Sequence, residues 1–256
     1  MCLLTYLPGG IAPDLEALWT GAVSNPHGHG FAIVADDRII GGRGMDAVAV
    51  IESFARARGE YPAGPALFHS RYATRGVIGL SNCHPFRLGG DRRTVLAHNG
   101  TLPRRVHPRV FDRRSDTRIA AEDYLPGQPF GPIDTPAGAR GLSQWLGSSK
   151  LVILTVDPAY AHTSYVFGEQ AGHWVEGIWY SNRSYLPRAR RQARWPSDVC
   201  EYCRHRDPGR TGRYCRACGW CAGCHSEFPH CECLPQPPLP LSSAPTPITA
   251  TAAGRG

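Results

Sequence analysis

The sequence predicts an α+β fold, antiparallel sheets flanked by helices, with a small cysteine-rich module attached. Three observations carry this. Helical and strand-like segments mix along residues 2–186. The later strand-like runs follow one another in hairpin-like succession, which favours antiparallel pairing over a doubly wound parallel sheet. Finally, eight of the ten cysteines lie between Cys200 and Cys233.

The elements follow from periodicity and punctuation. Pro13 to Ala22 reads as a short helix, and Phe31-Ala32-Ile33-Val34 as a buried strand. From Asp46 to Arg58 a helical period places Ala47, Val48, Ile51, Phe54 and Ala55 on one face, and Gly59 supplies a C-terminal stop. Strands are predicted at Ala66 to His69, Thr94 to Ala97, Leu151 to Val156, Thr163 to Phe167 and His173 to Tyr180. Asp157-Pro158 turns the chain between the third and fourth of these. Residues 187–199 form a basic linker and 200–233 the cysteine module. Residues 234–256, rich in Pro, Ser, Thr and Ala without periodicity, read as a disordered tail.

A chain of 256 residues holds one sizeable core and a small appended module. Its 42% hydrophobic content excludes disorder throughout. No apolar run approaches the roughly 20 residues that cross a bilayer. Met1-Cys2-Leu3-Leu4-Thr5-Tyr6-Leu7 lacks the basic flank of a signal peptide and soon meets Pro8-Gly9-Gly10. A cytoplasmic protein with no membrane partner is the expectation. The net charge of +7 and pI near 9.0 raise nucleic acid as a partner. Lys150 is the only lysine, however, and the arginine excess accompanies abundant Ala, Gly and Pro, the profile of a GC-rich coding sequence. Local clustering is more informative: ten arginines fall between Arg183 and Arg216, beside the cysteines.

Chemistry begins at the second residue. A side chain as small as that of Cys2 permits removal of Met1, which leaves a free α-amine beside a thiol. An α-amine titrates near pH 8, so part of it is neutral at physiological pH and takes the thiol proton, usually through a water. The thiolate then attacks a carbonyl. Taken alone, Cys2 reads as a small residue in an N-terminal strand.

The rest of the chain adds an ordered set of motifs. Asn25-Pro26-His27-Gly28-His29-Gly30-Phe31 is followed by His69-Ser70-Arg71-Tyr72-Ala73-Thr74-Arg75-Gly76 and Asn82-Cys83-His84-Pro85-Phe86. His98-Asn99-Gly100 and Ser115-Asp116-Thr117 complete it. Over residues 2–186 this resembles the class II glutamine amidotransferases, members of the N-terminal nucleophile hydrolase superfamily. The resemblance implies a four-layer αββα sandwich of two antiparallel sheets. It implies that Cys2 is the nucleophile and, through its amine, the base, and that Asn99 (side-chain amide) and Gly100 (backbone N–H) form the oxyanion hole. Arg71 would bind the α-carboxylate of glutamine, a job suited to the guanidinium fork. Asp116 would receive the α-ammonium, and Thr74 and Gly76 would shape the pocket wall. Each residue also has a purely structural use: Arg71 on the surface, His98-Asn99-Gly100 as a turn, Asp116 as a helix N-cap. His69, His84 and His98 read as structural histidines and Cys83 as packing.

The sequence departs from the family pattern at Arg75, at Thr101-Leu102-Pro103 and at Arg118. None of these removes a catalytic group, and the chemistry itself needs no metal or other cofactor. They leave room for a γ-glutamyl substrate other than free glutamine.

In the C-terminal module, Cys200-x2-Cys203 and Cys215-x2-Cys218 have the spacing of a tetrahedral four-thiolate zinc site. Cys221-x2-Cys224 and Cys231-x-Cys233 follow, with His225 and His230 as substitutes. Eight thiols match two structural zinc ions, paired sequentially or interleaved, and the lack of a secretory signal favours metal over disulfides. So short a segment has too little apolar surface to fold without them. Arg204, Arg206, Arg210, Arg213 and Arg216 offer contact with nucleic acid or an acidic protein, or simply a solvated basic surface.

The expected function is release of ammonia from glutamine for a separate ligase or synthetase chain. Two alternatives stand beside it. One is a γ-glutamyl amidohydrolase with the same Cys2 chemistry. The other is a catalytically idle scaffold whose zinc module binds nucleic acid or protein.

Overall fold

A computed structural model describes residues 2–187, which fall in the first of the chain's two units, Met1–Arg188. In chain order its elements are β1 (Leu3–Leu7), α1 (Leu15–Ser24), β2 (His29–Ala35), β3 (Arg38–Gly44), α2 (Ala47–Glu60), β4 (Ala66–Ser70) and β5 (Phe86–Arg87). Then come β6 (Thr94–Asn99), α3 (Asp116–Ile119), α4 (Pro136–Leu146), β7 (Lys150–Thr155), β8 (Ser164–Phe167), β9 (His173–Val175) and β10 (Ile178–Tyr180). Nearly all of the basic linker, the eight predicted zinc ligands Cys200, Cys203, Cys215, Cys218, Cys221, Cys224, Cys231 and Cys233, and the tail lie outside the described residues.

Period-two alternation sorts the strands into layers. In β1, Leu3 and Leu7 enter one core while Leu4 packs in another with Tyr6 against it. In β4, Ala66 and Phe68 take the first side and Leu67 the second. On β6 and β7, Leu96, Leu151 and Ile153 enter a third core, and Val95, Ala97, Val152 and Leu154 share the second with Leu4 and Trp179. Two sheets therefore meet face to face over the second core. Helices α1 and α2 close the outer side of one, and α4, with Ala120 and Ala121 just after α3, covers the other. All strand pairs are antiparallel, in the orders β3-β2-β4-β1-β10-β9 and β5-β6-β7-β8.

The helices start where the sequence places caps: the Asp14 side chain accepts from Ala17 N–H, and Asp46 accepts from Val48 and Ala49 N–H. The buried face of α2 differs from the predicted one. Val50, Ile51, Phe54 and Arg58 are buried, whereas Val48 is exposed. Nor does Gly59 stop this helix, which continues to Glu60; Tyr61 N–H caps Ala57 O, and the Arg58 guanidinium gathers the carbonyls of the following loop. The predicted strand from His173 to Tyr180 is a hairpin, β9 and β10, turned by Glu176 and Gly177 with φ of 49° and 80°. Two successive positive φ values match the right-handed twist of paired strands. No helix among the described residues is long and apolar enough to cross a membrane.

Candidate active site

Three strand ends converge at one end of the sandwich. Because Leu3 pairs with Ser70, Cys2 just before β1 lies alongside Arg71 and Tyr72 just after β4. Tyr72 N–H donates to Cys2 Sγ at 3.2 Å, and the thiol lies 3.5 Å from Tyr72 O. On the other side, Asn182 Nδ2 donates to Cys2 O at 2.7 Å, and Ser181 Oγ accepts Leu4 N–H at 2.9 Å. The thiol of residue 2 is held from the β4 side and its carbonyl from the β10 side. At the end of β6, Asn99 Nδ2 donates to the same Ser181 Oγ at 2.8 Å, so one buried hydroxyl ties the nucleophile's strand to the candidate oxyanion amide.

A narrow recess opens beside Cys2, lined by Arg71, Thr74, Gly100 and Asp116 as well as Tyr72, Arg75, His84, His98, Ser115 and Thr117. Five of the seven sequence-derived candidates thus share one wall. Asn99 and Gly76 do not line it: Asn99 is buried behind, on Ser181, and Gly76 shapes the loop from outside. Gly76 has φ +71°, and a Cβ there would lie 2.7 Å from the Arg114 carbonyl carbon, so the Thr74–Gly79 loop can close on the Arg113–Ser115 segment only with glycine. Gly100, at φ +144°, has the same constraint against the Ser149 side chain.

The electrostatics of the recess are unusual. Arg71 is 2% exposed; its guanidinium donates to Val77 O at 3.0 Å and Arg75 O at 2.6 Å. Asp116 is 5% exposed, the first residue of α3 rather than its N-cap, which is Ser115; it accepts Leu102 N–H at 3.0 Å and Thr117 N–H at 2.8 Å. Neither charge forms an ion pair among the described residues. Burial lowers the Arg71 pKa, partly opposed by Cys2, Cys83 and Asp116. Burial also pushes the Cys2 thiol up, against the Tyr72 N–H and the Arg71 charge, so the thiol is not the resting thiolate and needs a base. The nearby histidines are poor bases: burial holds His69 at about 3 and His98 at about 4, and His84 well below the ordinary value. All three are buried; His98 Nδ1 meets Thr117 Oγ1 at 2.9 Å, and His69 Nε2 donates to His98 O at 3.0 Å.

Sequence reasoning missed several supports. Ser181 and Asn182 follow the last strand and contact residues almost the whole domain away. Asn82, fully buried, donates to Val77 O and Arg113 O and accepts Ser115 N–H, which fixes both loops around Arg71 and Asp116. The Asn82-Cys83-His84 run was the available signal. Cys83 packs against Met45 Sδ, Gly44 O and Gly79 O, each at 3.7 Å, away from the recess.

Residues 50–119, roughly a quarter of the chain, match the family model described as glutamine amidotransferases class-II. That span contains every candidate residue of the recess except Cys2. No curated protein matches the sequence. Among solved structures the chain is similar to glutamine phosphoribosylpyrophosphate amidotransferase from B. subtilis complexed with ADP and GMP, with a TM-score of 0.44 and 16% identity over 70% of this chain and 41% of that one. It is also similar to a protein described as the allosteric regulatory enzyme of purine biosynthesis (0.38, 18%, 61% and 36%). A third is a glutamine aminotransferase class-II domain protein from Silicibacter pomeroyi (0.31, 16%, 70% and 87%). The chain thus spans less than half the length of the first two.

Proposed function

We propose that residues 2–186 hydrolyse the side-chain amide of glutamine, with Cys2 as nucleophile once Met1 is removed. One observation carries this reading: a buried cation, Arg71, and a buried anion, Asp116, face the same recess as the thiol, and neither forms an ion pair among the described residues. Buried charges left unpaired cost several kcal/mol each. A zwitterionic amino acid would supply both partners, its α-carboxylate on the Arg71 fork and its α-ammonium on Asp116. The family match over residues 50–119 supports the same chemistry.

The free α-amine of Cys2 takes the thiol proton through a water, and the thiolate adds to the amide carbon. Gly100, on the recess wall, gives its N–H to the oxyanion, and Asn99, buried behind that wall on Ser181, joins it by turning its second amide hydrogen inward. Ammonia leaves with the proton returned by the protonated Cys2 amine as a glutamyl thioester forms, and water then releases glutamate. The ammonia goes to a separate ligase or synthetase chain. Residues 200–233 form a second module holding two structural zinc ions on their eight thiols, a reading supported by the C-x2-C spacing. Metal analysis should find about two zinc per chain. The direct test is release of glutamate and ammonia by the full chain with a verified N-terminus. Equal rates with γ-glutamyl dipeptides would replace glutamine by that wider class, and no turnover of either would leave a scaffold.

A further inference from the structure

We propose that a second cleft, at the β3/β5 edge of the two sheets, binds a phosphate-bearing small molecule. The cleft is open, about 780 Å³, and lies where the outermost strand of each sheet meets solvent. Four guanidinium groups line it, those of Arg43, Arg87, Arg92 and Arg118, with Glu122 as the one acid. That acid is already engaged: Arg118 Nε lies 2.7 Å and Arg114 Nη1 3.1 Å from its oxygens. Arg43 donates only to Cys83 O, at 3.3 Å, and Arg87 and Arg92 meet no carboxylate among the described residues.

Carboxylates are not scarce in this part of the chain. Arg93, the neighbour of Arg92, is paired with both Asp91 and Asp157, and Arg114 with Asp112, Glu122 and Asp123. The acids neutralise Arg93 and Arg114 outside the cleft and Arg118 within it, and leave Arg43, Arg87 and Arg92 without a carboxylate partner among the described residues. Like charges gathered in one concavity repel one another and raise the local concentration of anions. Guanidinium forks match phosphate oxygens in pairs. The β3 side of the cleft suits close approach: Gly41 and Gly42, next to Arg43, lie on an edge strand, whose outward backbone N–H groups have no strand partner among the described residues. Three arginines without a carboxylate partner among the described residues favour a ligand with more than one phosphoryl group over a single carboxylate.

The site is distinct from the Cys2 recess, yet the two share a partition. Pro85 and Phe86 line the cleft, and His84, one residue earlier, lines the recess. The proposal does not depend on the glutaminase reading.

The test is calorimetric titration of the full chain with inorganic pyrophosphate. We expect saturable binding of one pyrophosphate, weakened at least tenfold in Arg87→Gln/Arg92→Gln and unchanged in Arg93→Gln, whose side chain is exposed and paired outside the cleft. An unfolding midpoint equal to wild type in each variant confirms intact protein. Two results would overturn the proposal. One is no saturable binding at millimolar pyrophosphate. The other is binding that the double variant retains in full, which would place the anion elsewhere on this basic chain.

Discussion

Arg58, in the last turn of α2, and Arg71, just after β4, are each 2% exposed, but their surroundings differ. Arg58 gives Nε to Ile11 O, Nη1 to Tyr61 O and Gly64 O, and Nη2 to Pro8 O; its fork is filled by backbone carbonyls from two loops. Arg71 gives one bond each from Nη1 and Nη2 and turns its remaining donors toward a recess that holds a thiol and a carboxylate. Burial and residue type are the same in both. What separates a structural arginine from a binding one is whether its donors are used up within the chain.

Substitution should separate the two arginines most sharply. Arg71→Lys should lower kcat/KM for glutamine by about 100-fold or more, because an ammonium does not reproduce a two-pronged carboxylate contact. Its urea midpoint should stay close to wild type. Arg58→Leu should do the reverse, costing about 3 kcal/mol or more by orphaning buried carbonyls while the folded fraction keeps its turnover. Equal stability losses in both would erase the distinction.

A second contrast lies between a group acting in the transition state and the hydroxyl that positions it. Asn99→Ala should lower kcat by about 100-fold with a smaller change in KM. Ser181→Ala leaves the amide in place but frees it to rotate, and its kcat should fall by about tenfold. Loss through KM alone for Asn99→Ala would move that residue from oxyanion stabilisation to substrate binding.

Acid should act on the recess side and not on the Arg58 side. His69, at about 3, and His98, at about 4, have native values below the unfolded value near 6.5. The unfolded chain therefore binds more protons below pH 6.5, and stability present above that pH is lost as it falls. Each of these two histidines contributes a loss of roughly 2 kcal/mol between pH 7 and pH 5. Urea unfolding at the two pH values measures it. Arg58→Leu should shift both midpoints in parallel, since no titrating group accompanies that arginine.

The same distinction explains what the sequence made legible. Alternating strands such as Leu151 to Val156 and the capped helix after Asp46 announce themselves locally, and the motif residues around Arg71, Asn99 and Asp116 reach one recess because each sits at or next to the end of a strand or helix. The glycine-rich β3 has no apolar alternation to read, although Gly41 and Gly42 are needed where the strand passes Phe31. The β9–β10 turn hides in an uninterrupted run because Glu176 gives no warning of its positive φ. Val48 and Val50 exchange places because which stripe of α2 faces the sheet is set by packing against β3, a contact between elements. Ser181 and Asn182 act across sheet pairing that brings residue 181 back to residue 4, and no local pattern records that.

The central claim is that Cys2, freed of Met1, carries the glutamyl group. Protein mixed with isotope-labelled glutamine, quenched in acid within the first turnover and mapped by peptide mass, tests it directly. The account predicts label on a peptide that begins at Cys2, lost in Cys2→Ala. Label on Cys83, or full turnover by protein that still carries Met1, would contradict it.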